Sequence, residues 1–383
     1  MPHHRRDLTM TNQKNKHGGD WASYEIEYGK EPLDFSMNVN PLGMSERVKQ
    51  AIAEAAQTAE RYPDPECRKL RAAIAEAEGV TAEQVFCGAG AADIIYRLAK
   101  ALKPAEEPAK QQEEEPRLLV TAPTFSEYEE AFASEGWKVE QWLLSEETDF
   151  RIGEELPRAI EVIDREKDGG ADVLFLCEPN NPTGIATDRA LLEEILKACR
   201  QAGTLLVIDE CFNGFLDDPE GHTMKGYLQD YDNLIILKAF TKIYGMAGVR
   251  LGYCLCAKAE TAETLVQAGP PWNVSSLAQE AGLAALQDRE HVQEGRSIVR
   301  EERQWIKEEL TGLGFAGVCG DANYILFRGQ EDLEEQMRAQ GILIRSCDNY
   351  EGLGDGWFRI AVRTHDENVR LVEALERTRE TGR

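Results

Sequence analysis

Apolar residues along this chain fall into short runs separated by amphipathic stretches. The runs lie near 84–87, 117–121, 137–143, 172–177, 204–209, 233–237 and 250–255. Each is too short for a helix and rich in Val, Ile, Leu, Phe or Cys, which predicts seven strands. Between several of them the apolar positions recur at helical spacing, at about 91–102, 126–134 and 188–201. Strands alternating with helices predict an α/β fold with a mostly parallel sheet covered on both faces. Two helices precede this region, one over 45–59 with Ser45 as N-cap and one over about 66–78 that stops at Gly79.

The pattern changes further on. From about 275 to 313 it is helical and long enough to bridge two domains. A smaller αβ unit follows: strand 323–327, helix 331–340, strands 342–345 and 357–362, and helix 365–378. The expected division is a flexible tail over 1–16, an N-terminal segment over 17–50 that packs with the small unit, a large domain over 51–285 and a small α+β domain over 286–383. The tail is polar and basic with no apolar core, so it does not read as a signal peptide, and Met10 competes with Met1 as the start. Residues 104–116, PAEEPAKQQEEEP, read as a solvated surface loop.

Length and charge narrow the function. A chain of 383 residues has room for two cores. A net charge of −26 argues against a nucleic-acid partner, because phosphate backbones repel such a surface. No apolar run is long enough for a membrane span. Nine cysteines without a CxxC pair point to a reducing cytosol rather than a disulfide framework. Cys254 and Cys256 share one strand face and read as buried packing. The six histidines show no ligand spacing, so no metal is expected.

The chemistry gathers at predicted strand ends, where open α/β sheets bind ligands. Cys87-Gly88-Ala89-Gly90-Ala91-Ala92-Asp93 runs from a strand into a helix. Its small residues let backbone N–H groups approach a phosphate; the alternative is a plain strand-to-helix turn. A dinucleotide fingerprint is disfavoured because Asp93 stands where the third glycine belongs. Phe125, just past a strand, can stack on a flat ring or fill core. Asn181, before Pro182, is held extended and can donate to a phenolate, or marks a turn. Asp209 ends the apolar run that starts at Thr204 and needs a partner, such as a protonated pyridine nitrogen; the alternatives are a helix cap or a structural ion pair. Glu210 beside it faces the other way. Lys242 follows the apolar run and Thr241, and Arg250 lies eight residues on. A desolvated amine with a phosphate clamp is what pyridoxal 5'-phosphate requires.

With Asn181, Asp209, Lys242 and Arg250 in this order, the chain resembles fold-type I pyridoxal-phosphate enzymes of the aminotransferase class I/II group, from about residue 17 to 379. The resemblance implies a pyridoxal-phosphate-dependent transferase fold with Lys242 as the Schiff-base lysine and Asp209 on the pyridine nitrogen. Asn181 would bind the ring hydroxyl and Phe125 would stack on the ring. Gly90, Ala91, Ala92, Thr241 and Arg250 would hold the phosphate. Tyr62 resembles the tyrosine that reaches the neighbouring subunit's phosphate, which implies a homodimer with shared sites; the cysteine usage sets the expected location as cytoplasmic. Ala239 departs from a hydroxyl residue common before the lysine, removing one possible phosphate bond.

Two subfamilies are similar, the L-threonine-O-3-phosphate decarboxylases of cobalamin biosynthesis and the histidinol-phosphate aminotransferases. His17-Gly18-Gly19, the segment Leu33 to Gly43, and Phe212 where aminotransferases usually carry tyrosine resemble the decarboxylases. The segments around Arg345 and Arg359 do so too. The implied substrate is a phosphorylated amino acid. Arg359 and Arg363, four apart on one strand face, are expected to act jointly on its carboxylate and phosphate. His17, Asn40 and Arg345 are candidates for the phosphate end. A non-catalytic binding protein on the same fold is the alternative of another class.

Overall fold

The computed structural model describes residues 17–104, 115–162 and 170–381. The expected tail over 1–16 and nearly all of the acidic loop lie outside them. The first strand, β1 (Leu33–Asp34), is short and belongs to a small two-stranded sheet. The seven runs read from the sequence become β2 (Val85–Gly88), β3 (Arg117–Ala122), β4 (Lys138–Leu143), β5 (Val173–Cys177), β6 (Leu205–Asp209), β7 (Leu234–Ala239) and β8 (Gly252–Cys256). They form one sheet in the order β2-β8-β7-β6-β5-β3-β4. All pairings are parallel except those of β8, which runs antiparallel to both neighbours.

Strands buried on both faces explain the unbroken apolar runs. β5 and β8 are buried at every position, and separate hydrophobic clusters lie on the two sides of the sheet. Cys254 and Cys256 are both buried, with Sγ atoms 3.9 Å apart on one face. Helices Glu46–Ala55 and Arg68–Glu78 pack against helix Ser276–Leu286. Ser45 caps the first of them, its hydroxyl accepting from Val48 N, a contact that stabilises a helix by about 1 kcal/mol.

A third cluster lies around the C-terminal strands β9 (Ala316–Cys319), β10 (Tyr324–Arg328), β11 (Ile342–Leu343), β12 (Arg345–Ser346) and β13 (Trp357–Ala361). Four of them form an antiparallel sheet in the order β12-β13-β10-β9. β11 instead pairs in parallel with β1, and Phe35 N donates to Leu343 O. Two sequence expectations change here. The strand read at 342–345 is two strands in two sheets. The helix read over 275–313 is two helices, Ser276–Leu286 and Arg289–Gly312. No Pro or Gly marks that break; the two halves part because one packs on the large sheet's helices and the other on the C-terminal unit. Helix Glu46–Ala55 runs across residue 50, where the N-terminal segment was expected to end.

Candidate functional site

The C-terminal ends of β5, β6 and β7 meet the turn after β2, the segment at 36–39 and the small sheet around a cavity of about 410 Å³. Lys242 lies three residues past the end of β7, in the short helix Phe240–Ile243. Its amine is 5.0 Å from the centre of the Phe212 ring. Burial pulls its pKa down to about 8, with the charges of Arg359 and Arg250 acting in the same direction against Asp209. A neutral amine in this range is nucleophilic at moderate pH.

Asp209 is buried at the end of β6. Its Oδ2 accepts from the Tyr128 hydroxyl at 2.7 Å and its Oδ1 from Cys211 N at 2.9 Å. Burial raises its pKa, while these donors and Lys242 pull the other way. Tyr128 stacks on Phe175 of β5, ring centres 4.1 Å apart, which fixes the hydroxyl toward the carboxylate. Burial lifts the Tyr128 pKa well above the usual range, so it stays a donor. Glu210, one residue on, points to the other face of the sheet, where it takes Thr223 Oγ1 and Met224 N and lies 3.5 Å from Lys238.

The turn after β2 supplies a cradle. Gly90, at φ +91, precedes helix Ala91–Ala101. A Cβ there would stand 2.8 Å from Arg250 Nη2, so only glycine lets the guanidinium lie against the helix start. Arg250 itself occupies the left-handed region at φ 61, a conformation that costs about 1–3 kcal/mol in a non-glycine residue. Asp93, where a dinucleotide loop would need glycine, ties the turn together by accepting from Ala89 N, Arg97 Nε and Asn273 Nδ2.

Of the residues named from sequence, Ala91, Ala92, Phe125, Asn181, Thr241, Arg345 and His17 line this cavity with Lys242, Asp209, Arg250 and Arg359. Arg359 is buried on β13; its Nη1 donates to Asn181 Oδ1 and its Nη2 to Ser36 O at 3.0 Å. Two expectations fail, those for Arg363 and Asn40. Arg363 does not share Arg359's surroundings, because β13 ends at Ala361. Its guanidinium binds Asp34 O and forms an ion pair with Glu367 at 2.6 Å. Asn40 is buried beside the cavity, not in it; its amide donates to Ile243 O and accepts from Leu42 N. Tyr62, expected at a neighbouring subunit's phosphate, is 82% exposed, leans on Trp272 with ring centres 5.0 Å apart and does not line this chain's own cavity.

Sequence reading missed several wall residues, Asn38, Tyr128 and Glu127 among them. Asn38 is buried with no hydrogen-bond partner for its Oδ1 among the described residues. Tyr128 and Glu127 both lie on helix Glu127–Ser134. Tyr128 was readable only as an apolar helix position, and Glu127 only as part of an acidic first turn.

A family model for aminotransferase class I and II matches residues 30–375. Threonine-phosphate decarboxylase from Salmonella typhimurium is 34% identical over 366 residues, covering 94% of this chain and 95% of the relative. Histidinol-phosphate aminotransferase from Symbiobacterium thermophilum is 34% identical over 348 residues, covering 90% of each. The crystal structure of histidinol-phosphate aminotransferase from Clostridium acetobutylicum superimposes with a TM-score of 0.80 at 28% identity, covering 91% of this chain and 99% of that one. The chain belongs to the class I and II aminotransferase family, and its cofactor is pyridoxal 5'-phosphate. The donor set fits that group: a buried carboxylate, an amine with lowered pKa, and a glycine cradle beside an arginine.

Replacing Tyr128 by phenylalanine removes one donor to Asp209. Hydrogen bonds to charged groups contribute roughly 1.5–3 kcal/mol, so cofactor affinity should fall about tenfold or more. An absorbance titration of the apo-protein with cofactor measures it; unchanged affinity would show that the tyrosine only fills space.

Proposed function

We propose that this chain decarboxylates L-threonine O-3-phosphate to (R)-1-aminopropan-2-yl phosphate and CO2, a step of cobalamin biosynthesis. The observation that carries the reading is the grouping of Arg359, Arg345 and His17 in the wall that also holds Lys242 and Asp209. These two guanidiniums and an imidazole exceed what the cofactor's own phosphate needs, and they suit a substrate with two anionic groups. Phe212, against the Lys242 amine, supports it as well.

Pyridoxal phosphate supplies an electron sink for the pair left when a bond to the substrate's α-carbon breaks. Asp209 would face the ring nitrogen and keep it protonated. Asn181 would bind the ring hydroxyl, Phe125 would stack on the ring, and Ala91, Ala92, Thr241, Arg250 and Gly90 would hold the phosphate. Arg359 presents a planar fork to the substrate carboxylate. Held by that fork, the carboxylate would be the group that leaves as CO2. Lys242 then returns a proton to the α-carbon. The large sheet and residues 51–285 would carry the cofactor, and residues 286–383 with the N-terminal segment would close over the substrate. Tyr62, exposed in this chain, would serve the cofactor phosphate of a second copy in a homodimer.

Transamination of histidinol phosphate is the second reading, favoured by the 34% identical aminotransferase. One assay separates them. Incubation with threonine phosphate is expected to release CO2 stoichiometrically. Histidinol phosphate with 2-oxoglutarate should give little glutamate. Glutamate without CO2 would replace the decarboxylase reading by the aminotransferase. Neither product, with the cofactor bound, would favour a binding protein.

A further inference from the structure

Apart from Asp209, Glu127 is the only carboxylate among the described residues of the cavity wall. A negative charge beside Arg345, Arg359 and His17 opposes the binding of an anion unless it serves another purpose. The geometry supplies one. Glu127 Oε1 lies 2.8 Å from His17 Nε2, with side chains 16% and 45% exposed. The His17 ring also leans on Phe125, centres 5.7 Å apart.

The backbone behind His17 is fixed independently. A Cβ on Gly18 would stand 2.2 Å from Ser36 O, and Gly19 N donates to Ser36 Oγ at 2.8 Å. Ser36 Oγ in turn donates to Asp34 at 2.6 Å. These contacts place the His17 Cα at the cavity rim. They leave the ring's orientation to Glu127 and Phe125. Phe125 restricts the ring without choosing which nitrogen faces where. The carboxylate does choose: in the doubly protonated ring it takes Nε2–H and leaves Nδ1–H to donate to a second acceptor.

We infer that Glu127 is a positioning residue that acts through His17, holding its imidazole as a donor to the phosphate of the substrate. The inference rests on the proposed phosphorylated substrate. The phosphate then meets an N–H donor already oriented, and the cost of Glu127's own charge is offset by its hydrogen bond with His17.

A double-mutant cycle on the holoenzyme tests it, with substrate kinetics and calorimetric titration of inorganic phosphate as two readouts. Glu127→Ala is expected to raise KM for threonine phosphate about tenfold, the size of one charge-assisted hydrogen bond, with kcat affected far less. Phosphate affinity should fall in parallel. Glu127→Gln, which keeps an acceptor but loses the charge, should fall between wild type and Glu127→Ala. In a His17→Gln background, Glu127→Ala should add nothing, because the two residues act as one unit.

Additive effects, an unchanged KM, or tighter phosphate binding in Glu127→Ala would overturn the inference; the last would mean that the carboxylate merely repels. A wild-type holoenzyme that binds no phosphate would overturn it too. Failure of the underlying substrate reading looks different. The wild type would then turn over no phosphorylated amino acid, yet its phosphate affinity would still depend on Glu127 and His17 jointly.

Discussion

Lys242→Ala protein is expected to fold, to lack the visible absorbance of a lysine-bound cofactor, and to lose activity by about 10⁴-fold or more. That loss corresponds to roughly 5 kcal/mol of barrier, consistent with removing both the covalent attachment and the proton donor. Folding should survive, because the amine contributes no apolar packing and its removal relieves a buried charge. The same residue predicts a pH dependence. Burial lowers its pKa to about 8, so the amine is mostly protonated below that value. Attachment needs the neutral form. Covalent capture of the cofactor by the apo-protein should therefore quicken about tenfold per pH unit up to about 8 and level off above it. Stopped-flow absorbance across pH measures this. A rate that is flat between pH 6 and 8, or a Lys242→Ala protein that keeps the absorbance band, would remove Lys242 from the reaction.

Arg359→Leu should lower kcat/KM by about 10³-fold, roughly 4 kcal/mol. Arg359→Lys should recover little of it, since a point charge cannot reproduce a bidentate fork. Stability should fall as well. Asn181 Oδ1 and Ser36 O each lose a donor in a buried setting, and an orphaned buried acceptor costs about 1–3 kcal/mol. Measuring kcat/KM beside the thermal midpoint separates the two effects. A midpoint that drops while kcat/KM stays within about tenfold would make Arg359 a structural brace rather than the carboxylate's partner.

Much of the fold was legible because its strands are buried on both faces. A continuous apolar run such as Leu205–Asp209 needs no context to be read. Its terminal carboxylate stands out for the same reason, and so do Lys242 and Arg250 at neighbouring strand ends. Pairings between short, distant segments were not legible. β1 is two residues long and exists because Leu33 and Asp34 meet Ile342 and Leu343. Arg363 shows where parity misleads: two residues four apart share a face only while the strand lasts, and Val362 N already donates to Asn323 O as the chain turns away. Asn40, in the segment Leu33 to Gly43, is a candidate for the phosphate end from sequence, whereas Asn38, two residues before it, is the one that lies on the wall. Two asparagines two apart look alike in sequence, and only packing tells them apart. Glu127 looked like one of three acids in a helix's first turn. Its role depends on a histidine 110 positions away.

Arg359 has one further consequence. A guanidinium carries five N–H donors. Two atoms, Nη1 and Nη2, already serve Asn181 and Ser36 O, while Nε has no partner among the described residues. The residue therefore works as a three-way junction: one strand, one turn and the N-terminal segment report to the same cation. An incoming carboxylate that drew the guanidinium toward itself would loosen its hold on Asn181, the amide proposed to bind the cofactor. Substrate and cofactor would then compete for slack in a single side chain, and the enzyme would sense at its cofactor ring that the substrate has arrived.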